Sequence, residues 1–291
     1  MDKIAGLDLQ YYSGKDYYSD GSIEDTILEL VKQNKKVDID SEWALKYHLS
    51  EDRGNILEWY DLPSKSTVLE IGAGCGAITT TLLKKDLQVT AIEMSYKRAL
   101  INHERNKSEN LNIIVGNFFD VKVEQKYDYV TIIGVLEYIE AYSIHTYEEF
   151  LKKVKGVLKP HGKVLLAIEN RFGLKYFAGA REDHSGVFFE GIEGYTCGKG
   201  VKTFTKKELI KLIEQVGFLK YNFYYPFPDY KFPYTIFSDE YLPRVGDIRN
   251  ILHNYDQDRL SLFDEEKVYD SLIENKLFAE FSNSFLVEIG I

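Results

Sequence analysis

The segment that most restricts the fold of this chain is a glycine-rich turn at residues 70–77, Glu-Ile-Gly-Ala-Gly-Cys-Gly-Ala. It follows a short apolar run and precedes an amphipathic run at residues 77–84. Glycines between a strand and a helix allow a sharp reversal and let the backbone approach a ligand closely. A second apolar run ends at Glu93, about 20 residues after the first glycine, where a carboxylate can accept hydrogen bonds from ribose hydroxyls. The pattern predicts a nucleotide-type site.

Short apolar runs alternate with amphipathic runs through the middle of the chain. Beyond the turn, apolar runs recur at residues 113–115, 129–133 and 163–168, with helical spacing in two of the segments between runs. Strands that alternate with helices favour a parallel sheet with right-handed crossover connections. The sequence therefore predicts an α/β fold.

The regions around this core are predicted to be elaborations of it. Residues 1–65 indicate a tyrosine-rich arm followed by helices, which we interpret as an N-terminal helical lid, and residues 66–291 hold the core. Irregular stretches interrupt the core at residues 169–205 and 226–281. Structureless loops of this length are uncommon unless they are functional, so we expect them to form a substrate cap.

Charge and composition argue against several classes of protein. Lysine and arginine total 36 against 46 aspartate and glutamate, a formal net charge of −10, which disfavours nucleic acid as a partner because such binders present basic surfaces. No run of about 18 apolar residues occurs, so no membrane span is expected. The first residues lack the layout of a signal peptide. The two cysteines, Cys75 and Cys197, cannot form a disulfide framework, which fits a cytoplasmic protein.

Two cofactors compete for the glycine-rich turn. Gly72, Gly74 and Ala77 also satisfy the dinucleotide fingerprint, which allows a nicotinamide-dependent oxidoreductase or epimerase. Glu70 lies two positions before the first glycine, where a carboxylate would repel a pyrophosphate and attract a ligand that carries a sulfonium and an ammonium. S-adenosylmethionine has that charge pattern and no phosphate, so we favour it.

The turn and the acid that follows it resemble the class I S-adenosylmethionine-dependent methyltransferase family. Segments 116–120 and 134–139, after the third and fourth predicted strands, match the family as well. The resemblance covers residues 66–168 and implies a Rossmann-like, seven-stranded, mostly parallel sheet flanked by helices. It also implies S-adenosylmethionine as the cofactor. The cofactor-binding residues that it implies are Glu70, Gly72, Ala73, Gly74, Gly76, Glu93, Met94, Asn117, Phe118, Asp120, Gly134 and Glu137.

The resemblance also assigns roles within this set. Glu93 would bind the ribose, Met94 would pack on the adenine ring, and Asn117 or Asp120 would meet the adenine amino group. Glu137 would lie beside the transferred methyl group. No metal ion is expected, since we find no carboxylate cluster at the strand ends of the kind that holds magnesium in catechol-type enzymes.

Candidates for the acceptor side come mainly from the first irregular stretch. His184 is the first candidate for a general base, with Asp183 beside it to orient the imidazole, and His48 is the second. A hydroxyl acceptor needs such a base, whereas a carboxylate acceptor is already anionic. The predicted substrate-binding residues are Tyr138, Arg171, Lys175, Arg181 and Tyr195, with the cations placed to hold an acceptor carboxylate.

The later segments, including 170–177 and 182–186, look similar to tailoring methyltransferases of bacterial biosynthetic clusters. The sequence thus favours an O-methyltransferase that modifies a peptide carboxylate or a hydroxyl of a small molecule. A sugar or glycan O-methyltransferase of surface polysaccharide synthesis is an alternative of the same class. A nicotinamide-dependent enzyme and a non-catalytic partner subunit are alternatives of other classes.

Overall fold

A computed structural model describes residues 6–35, 41–196, 200–249, 251 and 257–291. These residues divide into two compact units, Met1–Ile132 with Lys153–Lys163, and Ile133–Lys152 with Val164–Ile291. The strands are β1 (Leu7–Tyr11), β2 (Thr67–Ile71), β3 (Gln88–Glu93), β4 (Leu111–Gly116), β5 (Tyr127–Ile133), β6 (Leu158–Glu169), β7 (Lys220–Phe227), β8 (Thr235–Ser238) and β9 (Ser284–Gly290).

Helices connect most of the strands. They are α1 (Ile23–Lys32), α2 (Trp43–Leu49), α3 (Asn55–Glu58), α4 (Ala77–Lys84), α5 (Tyr96–Arg105), α6 (Ile139–Tyr142), α7 (Tyr147–Gly156), α8 (Leu174–Phe177), α9 (Lys206–Gln215), α10 (Glu265–Glu274) and α11 (Phe278–Phe281). Short 3-10 turns cover Glu51–Gly54 and Leu136–Tyr138. Among the residues that the structure describes, no helix has the length and apolar character needed to cross a bilayer.

The first unit is a parallel sheet in the order β1-β4-β3-β2-β5. In the register of its centre, Leu69 of β2 pairs with Thr90 of β3 on one side and with Val130 of β5 on the other. Leu69 and Val130 are fully buried, as expected for a parallel sheet with both faces covered, whose strands read as near-continuous apolar runs. Parallel strands bring their carboxyl ends to the same edge, which places the glycine-rich turn beside the end of β3.

The tyrosine-rich arm contains a strand that the sequence analysis does not predict. β1 pairs in parallel with β4, with Leu7 opposite Ile113. The chain then continues against α5, where the Asp16 carboxylate accepts the backbone N–H of Tyr96 at 2.7 Å. The Tyr12 ring packs on the Tyr96 ring with centroids 5.7 Å apart. The arm is therefore part of the first unit, and its proposed action as a lid stays a prediction.

In the second unit the strands follow the order β6-β9-β7-β8. β9 runs antiparallel to β7, with Val287 opposite Phe223, and β8 runs antiparallel to the other edge of β7. The α/β fold with mostly parallel pairing is confirmed, but the residues that the structure describes form nine strands where seven were expected. The two additional strands are β1 and β8, and β8, α10 and α11 give regular structure to the stretch predicted to be irregular at residues 226–281.

Candidate functional site

The three glycines of the turn in the first unit all have positive φ angles, which favour glycine because it has no Cβ. The angles are 74° at Gly72, 52° at Gly74 and 83° at Gly76. A Cβ on Gly76 would lie 2.4 Å from Oδ1 of Asn102 on α5, so this glycine allows the turn to pack against a helix. At Gly74, by contrast, no atom of the described residues lies within 4 Å of the position of a Cβ. The turn is thus closed at Gly76 and open at Gly74, as expected of a surface that a ligand covers.

Glu93, at the end of β3, holds this turn in place. One carboxylate oxygen accepts the backbone N–H of Gly74 and the other accepts the N–H of Ser95, both at 2.8 Å. Only 8% of Glu93 is exposed. Each carboxylate oxygen has a second lone pair, so both oxygens can still accept a ribose hydroxyl, as the sequence predicts.

Glu70 has a different role from the one argued from its charge. Its carboxyl is buried in β2 and accepts the hydroxyl of Thr79 on α4 at 2.6 Å. Burial raises the pKa of Glu70 to about 8, with a further contribution from the nearby charge of Glu93. Glu70 is therefore largely uncharged at neutral pH. The argument that a negative charge on Glu70 selects S-adenosylmethionine over a dinucleotide is therefore wrong. Through its hydrogen bond with Thr79, Glu70 instead holds the start of α4 against the end of β2.

The predicted adenine side is assembled at the ends of β3 and β4. Asn117 Nδ2 lies 3.9 Å from the sulfur of Met94, and its Oδ1 accepts the backbone N–H of Phe119 at 2.9 Å. The Phe118 ring is buried below the ammonium of Lys153, which lies 4.8 Å from the ring centroid. Asp120 is exposed. Met94 and Asn117 thus lie together, and their contacts with an adenine ring stay predictions.

The second unit contains a buried polar cluster of Glu137, Glu169 and His184. One ligand atom from each of these residues lies within 4.8 Å of the other two. Nε2 of His184 is 3.8 Å from Oε2 of Glu169. Within the described residues, Glu137 Oε2, Glu169 Oε2 and His184 Nε2 are buried and have no hydrogen-bond partner. Nε2 of His184 and Oε2 of Glu169 are thus too far apart for a direct hydrogen bond.

Charged residues surround this cluster on one side. The Lys231 ammonium lies 2.5 Å from Oε1 of Glu169 and 3.3 Å from Asp183. Lys175 lies 2.8 Å from the other oxygen of Asp183 and 3.3 Å from Asp229. The predicted pairing of Asp183 with the imidazole of His184 is therefore wrong, since the lysines and the hydroxyl of Tyr176 hold that carboxylate.

His184 is oriented by Tyr138 instead. The Tyr138 hydroxyl lies 3.1 Å from Nδ1, and the two rings meet edge to face. Burial lowers the pKa of His184, but the carboxylate of Glu169 more than offsets this and raises the pKa to about 9. Burial raises the pKa of Glu137 to about 8, and Glu169 adds to this. With no ligand bound, His184 is therefore mainly protonated at neutral pH, which does not suit a general base.

The other predicted acceptor residues have partners within the second unit. Arg171 forms an ion pair with Glu208 at 3.1 Å. Arg181 donates to the carbonyl of Gly186 at 3.1 Å and stacks on Phe188, and the Tyr195 hydroxyl contacts Thr203 at 2.7 Å. A Cβ on Gly134, which has φ 69°, would lie 2.6 Å from the Tyr230 hydroxyl. Arg171 and Arg181, which were predicted to hold an acceptor carboxylate, thus both have partners within the protein.

His48 lies in the first unit and is committed to another charge network. Its Nε2 is 2.7 Å from Asp20, which also pairs with Arg98 at 2.8 Å. Burial lowers the pKa of His48 in spite of this hydrogen bond. Cys75 is buried, burial raises the pKa of its thiol to about 12, and Cys197 lies outside the described residues.

Glu169 of the cluster and Lys231 beside it were not predicted from the sequence. Glu169 ends β6 after a run of buried apolar residues, and Lys231 lies in the second irregular stretch. Glu137 and Glu169 thus bring two carboxyl groups together after β5 and at the end of β6, which the sequence did not indicate. An acid directly after a fully buried strand, as in Ala167-Ile168-Glu169, was the available signal, because buried carboxylates require partners.

The fold of the first unit and its glycine-rich turn define an adenosyl-binding α/β domain. A family model described as "Methyltransferase domain" matches residues 69–164. Residues 69–164 therefore form a class I S-adenosylmethionine-dependent methyltransferase domain.

Curated relatives match part of the chain. Ribosomal RNA small subunit methyltransferase A of Borreliella afzelii is 35% identical over 104 residues, 35% of this chain and 35% of that protein. Ubiquinone biosynthesis O-methyltransferase of Rickettsia felis is 25% identical over 126 residues, 43% of this chain and 50% of that protein. The chain thus spans about a third to a half of the length of these relatives.

Solved structures share the fold. Phosphoethanolamine N-methyltransferase 2 of Haemonchus contortus, in complex with S-adenosyl-L-methionine, superposes with a TM-score of 0.52 at 14% identity, covering 97% of this chain and 60% of that one. The open position at Gly74, the carboxylate of Glu93 and the contact of Met94 with Asn117 suit this cofactor.

Proposed function

We propose that this protein transfers the methyl group of S-adenosylmethionine to an oxygen atom of a small-molecule product of biosynthesis. The observation that carries the proposal is the glycine-rich turn of the first unit, which Glu93 holds in place and which is open at Gly74. Glu93 fixes the N–H of Gly74, and a Cβ at Gly74 would point into open space among the described residues. Such a turn offers backbone groups and a carboxylate to an adenosyl ligand.

The cofactor supplies an electrophilic methyl group, so the protein has to bind, orient and exclude water. In this proposal the turn from Gly72 to Gly76 holds the methionine portion. Glu93 accepts the ribose hydroxyls, and Met94 with Asn117 contacts the adenine ring. Each of these residues lies in the first unit, at the carboxyl ends of its parallel strands.

A hydroxyl acceptor is better supported than a carboxylate acceptor. The cations that were expected to hold an acceptor carboxylate already have carboxylate or carbonyl partners, as at Arg171 with Glu208 and at Lys175 with Asp183. A relative named for O-methylation in ubiquinone biosynthesis supports an oxygen acceptor.

The same proposal places the protein in the cytoplasm and excludes nucleic acid as its acceptor. The net charge of −10 supports this, because binding to phosphates needs a basic surface. The relative named for ribosomal RNA methylation matches over only 35% of each chain. A hydroxylated sugar or glycan is the alternative acceptor.

The proposal is tested by titration calorimetry followed by a transfer assay. S-adenosylhomocysteine is expected to bind in the micromolar range, and the nicotinamide dinucleotide is not. The opposite result would support an oxidoreductase. Binding of S-adenosylhomocysteine without transfer to any pool would support a non-catalytic partner subunit.

The transfer assay uses tritiated S-adenosylmethionine with separate pools of phenols, sugars, peptides and RNA. Alkali releases volatile methanol from a methyl ester but not from a methyl ether. We therefore expect an alkali-stable product from the phenol or sugar pool. Volatile counts from the peptide pool would instead indicate a carboxylate acceptor, and labelled RNA would contradict the proposal.

A further inference from the structure

We propose that Glu137, Glu169 and His184 of the second unit bind a divalent first-row transition metal ion. The three atoms that would ligate the ion are Oε2 of each glutamate and Nε2 of the histidine. One ligand atom of each residue lies within 4.8 Å of the other two, and among the described residues the two Oε2 atoms and Nε2 have no hydrogen-bond partner. The sequence predicts no metal, so this assignment comes from the geometry alone.

The cost of leaving these atoms unpaired argues that something binds between them. Glu137 is 1% exposed and Glu169 is 0% exposed, and the unpartnered oxygens are aimed into the same gap. Buried polar atoms almost always have a partner, and a buried carboxylate oxygen without one is costly. A cation satisfies the two oxygens and the nitrogen together.

Neighbouring groups orient two of the three ligands, His184 and Glu169, as hydrogen-bonded neighbours orient known metal ligands. The Tyr138 hydroxyl lies 3.1 Å from Nδ1 of His184, so a proton on Nδ1 leaves the lone pair of Nε2 free. Oε1 of Glu169 accepts from Lys231 at 2.5 Å and from the Tyr230 hydroxyl at 3.2 Å, which turns Oε2 toward the gap. Ligating histidines and carboxylates usually have such hydrogen-bonded supports.

The donor set selects the class of ion. Calcium takes six to eight oxygen ligands and magnesium keeps an all-oxygen octahedron, so an imidazole with two carboxylates favours zinc, manganese or iron(II). Three protein ligands leave a coordination position for water or a substrate oxygen. An oxygen ligand bound at that position would have a lowered pKa.

The test measures metal binding by the full chain without cofactor or acceptor, so its outcome is independent of the proposed methyl transfer. Protein treated with a chelator is dialysed against Zn²⁺ or Mn²⁺, and the bound metal is quantified. We expect one ion per chain, and we expect the isosteric change Glu137→Gln to raise the dissociation constant at least tenfold. Glu140→Gln, an exposed position three residues away, is the matched control and should leave binding unchanged.

A second measurement covers the possibility that a variant fails to fold. Wild-type protein loaded with Cu²⁺ is expected to show nitrogen hyperfine coupling from one imidazole in pulsed electron paramagnetic resonance. His184→Gln should remove that coupling. Less than stoichiometric binding, equal binding by Glu137→Gln and Glu140→Gln, or a spectrum without nitrogen coupling would each overturn the proposal.

Discussion

The Glu93 carboxylate accepts the backbone N–H of Gly74 at 2.8 Å and thereby ties the end of β3 to the middle of the glycine-rich turn. The other oxygen of Glu93 accepts the N–H of Ser95, the residue that precedes α5. One buried side chain thus fixes two backbone segments. Removing it is expected to change the shape of the turn and to remove a hydrogen-bond acceptor for the ribose.

Glu93→Ala should raise the dissociation constant for S-adenosylhomocysteine by tenfold or more. Each hydrogen bond to a charged group contributes about 1.5–3 kcal/mol, and about 1.4 kcal/mol corresponds to a factor of ten. Titration calorimetry of the purified variant measures the effect. Glu109→Ala, at an exposed position, is the control, and an unchanged affinity for Glu93→Ala would contradict the assigned role.

Gly76→Ala should mainly reduce the stability of the fold, whereas Gly74→Ala should mainly weaken cofactor binding. Both glycines have positive φ, so an alanine costs about 1 kcal/mol of stability at either position. At Gly76 the new Cβ also meets Asn102 at 2.4 Å, whereas at Gly74 it points into open space. Thermal unfolding should show the larger loss for Gly76→Ala. Calorimetry, with each variant kept below its unfolding temperature, should show weakened cofactor binding for Gly74→Ala. If Gly74→Ala binds as tightly as the wild type, no ligand covers that surface.

The central strands were predictable because their residues are apolar in unbroken runs, as in Val68-Leu69 and Val130-Thr131-Ile132. β1 was not, since Leu7-Asp8-Leu9-Gln10 is short and gains its identity as a strand from pairing with β4, more than 100 residues away in sequence. Propensity carries no information about such a distant partner. β8 is a four-residue edge strand with the same difficulty.

Glu70→Gln should change the pH dependence of stability. Burial raises the pKa of Glu70 from 4.5 in the unfolded chain to about 8 in the native state. Between these values the native protein holds a proton that the unfolded chain has lost, so this residue lowers stability as the pH rises through that window. The variant lacks this loss, and its advantage over the wild type should grow by on the order of 3–4 kcal/mol between pH 5 and pH 8. Urea unfolding at several pH values measures the difference.

The same variant tests whether charge at Glu70 attracts the cofactor. A glutamine still accepts the Thr79 hydroxyl, so the turn keeps its support. Because the native carboxyl is largely uncharged at neutral pH, we expect the variant to bind S-adenosylmethionine, which carries the sulfonium, within about threefold of the wild-type affinity, a change below 1 kcal/mol. A loss of tenfold or more would restore the electrostatic argument made from the sequence.

The geometry of the turn in the first unit could be predicted from the sequence, whereas in the second unit Glu137 and His184 were named separately and their proximity to Glu169 was not predicted. Gly72, Gly74 and Glu93 are adjacent in a single strand-turn-helix-strand unit, so their spacing in sequence fixes their spacing in the fold. Glu137, Glu169 and His184 come from three separate segments, and long-range folding alone brings them together. The adjacency of Asp183 and His184 in sequence suggested a pair, but Lys175 and Lys231 bind that aspartate.

Lys231→Met should strongly destabilise the second unit. Its ammonium lies 2.5 Å from Glu169, 3.3 Å from Asp183 and 3.6 Å from Asp229, and it is nearly buried. Removing one partner of a buried ion pair costs about 3–5 kcal/mol, because the remaining carboxylates lose the cation that compensates their desolvation. Urea unfolding followed by far-ultraviolet circular dichroism measures the loss. Lys202→Met, at a more exposed lysine paired with Glu140 at 3.2 Å, should cost less than about 0.5 kcal/mol. Equal losses in the two variants would mean that the carboxylates around Lys231 are protonated or hydrated, and that the buried cluster is less charged than its geometry indicates.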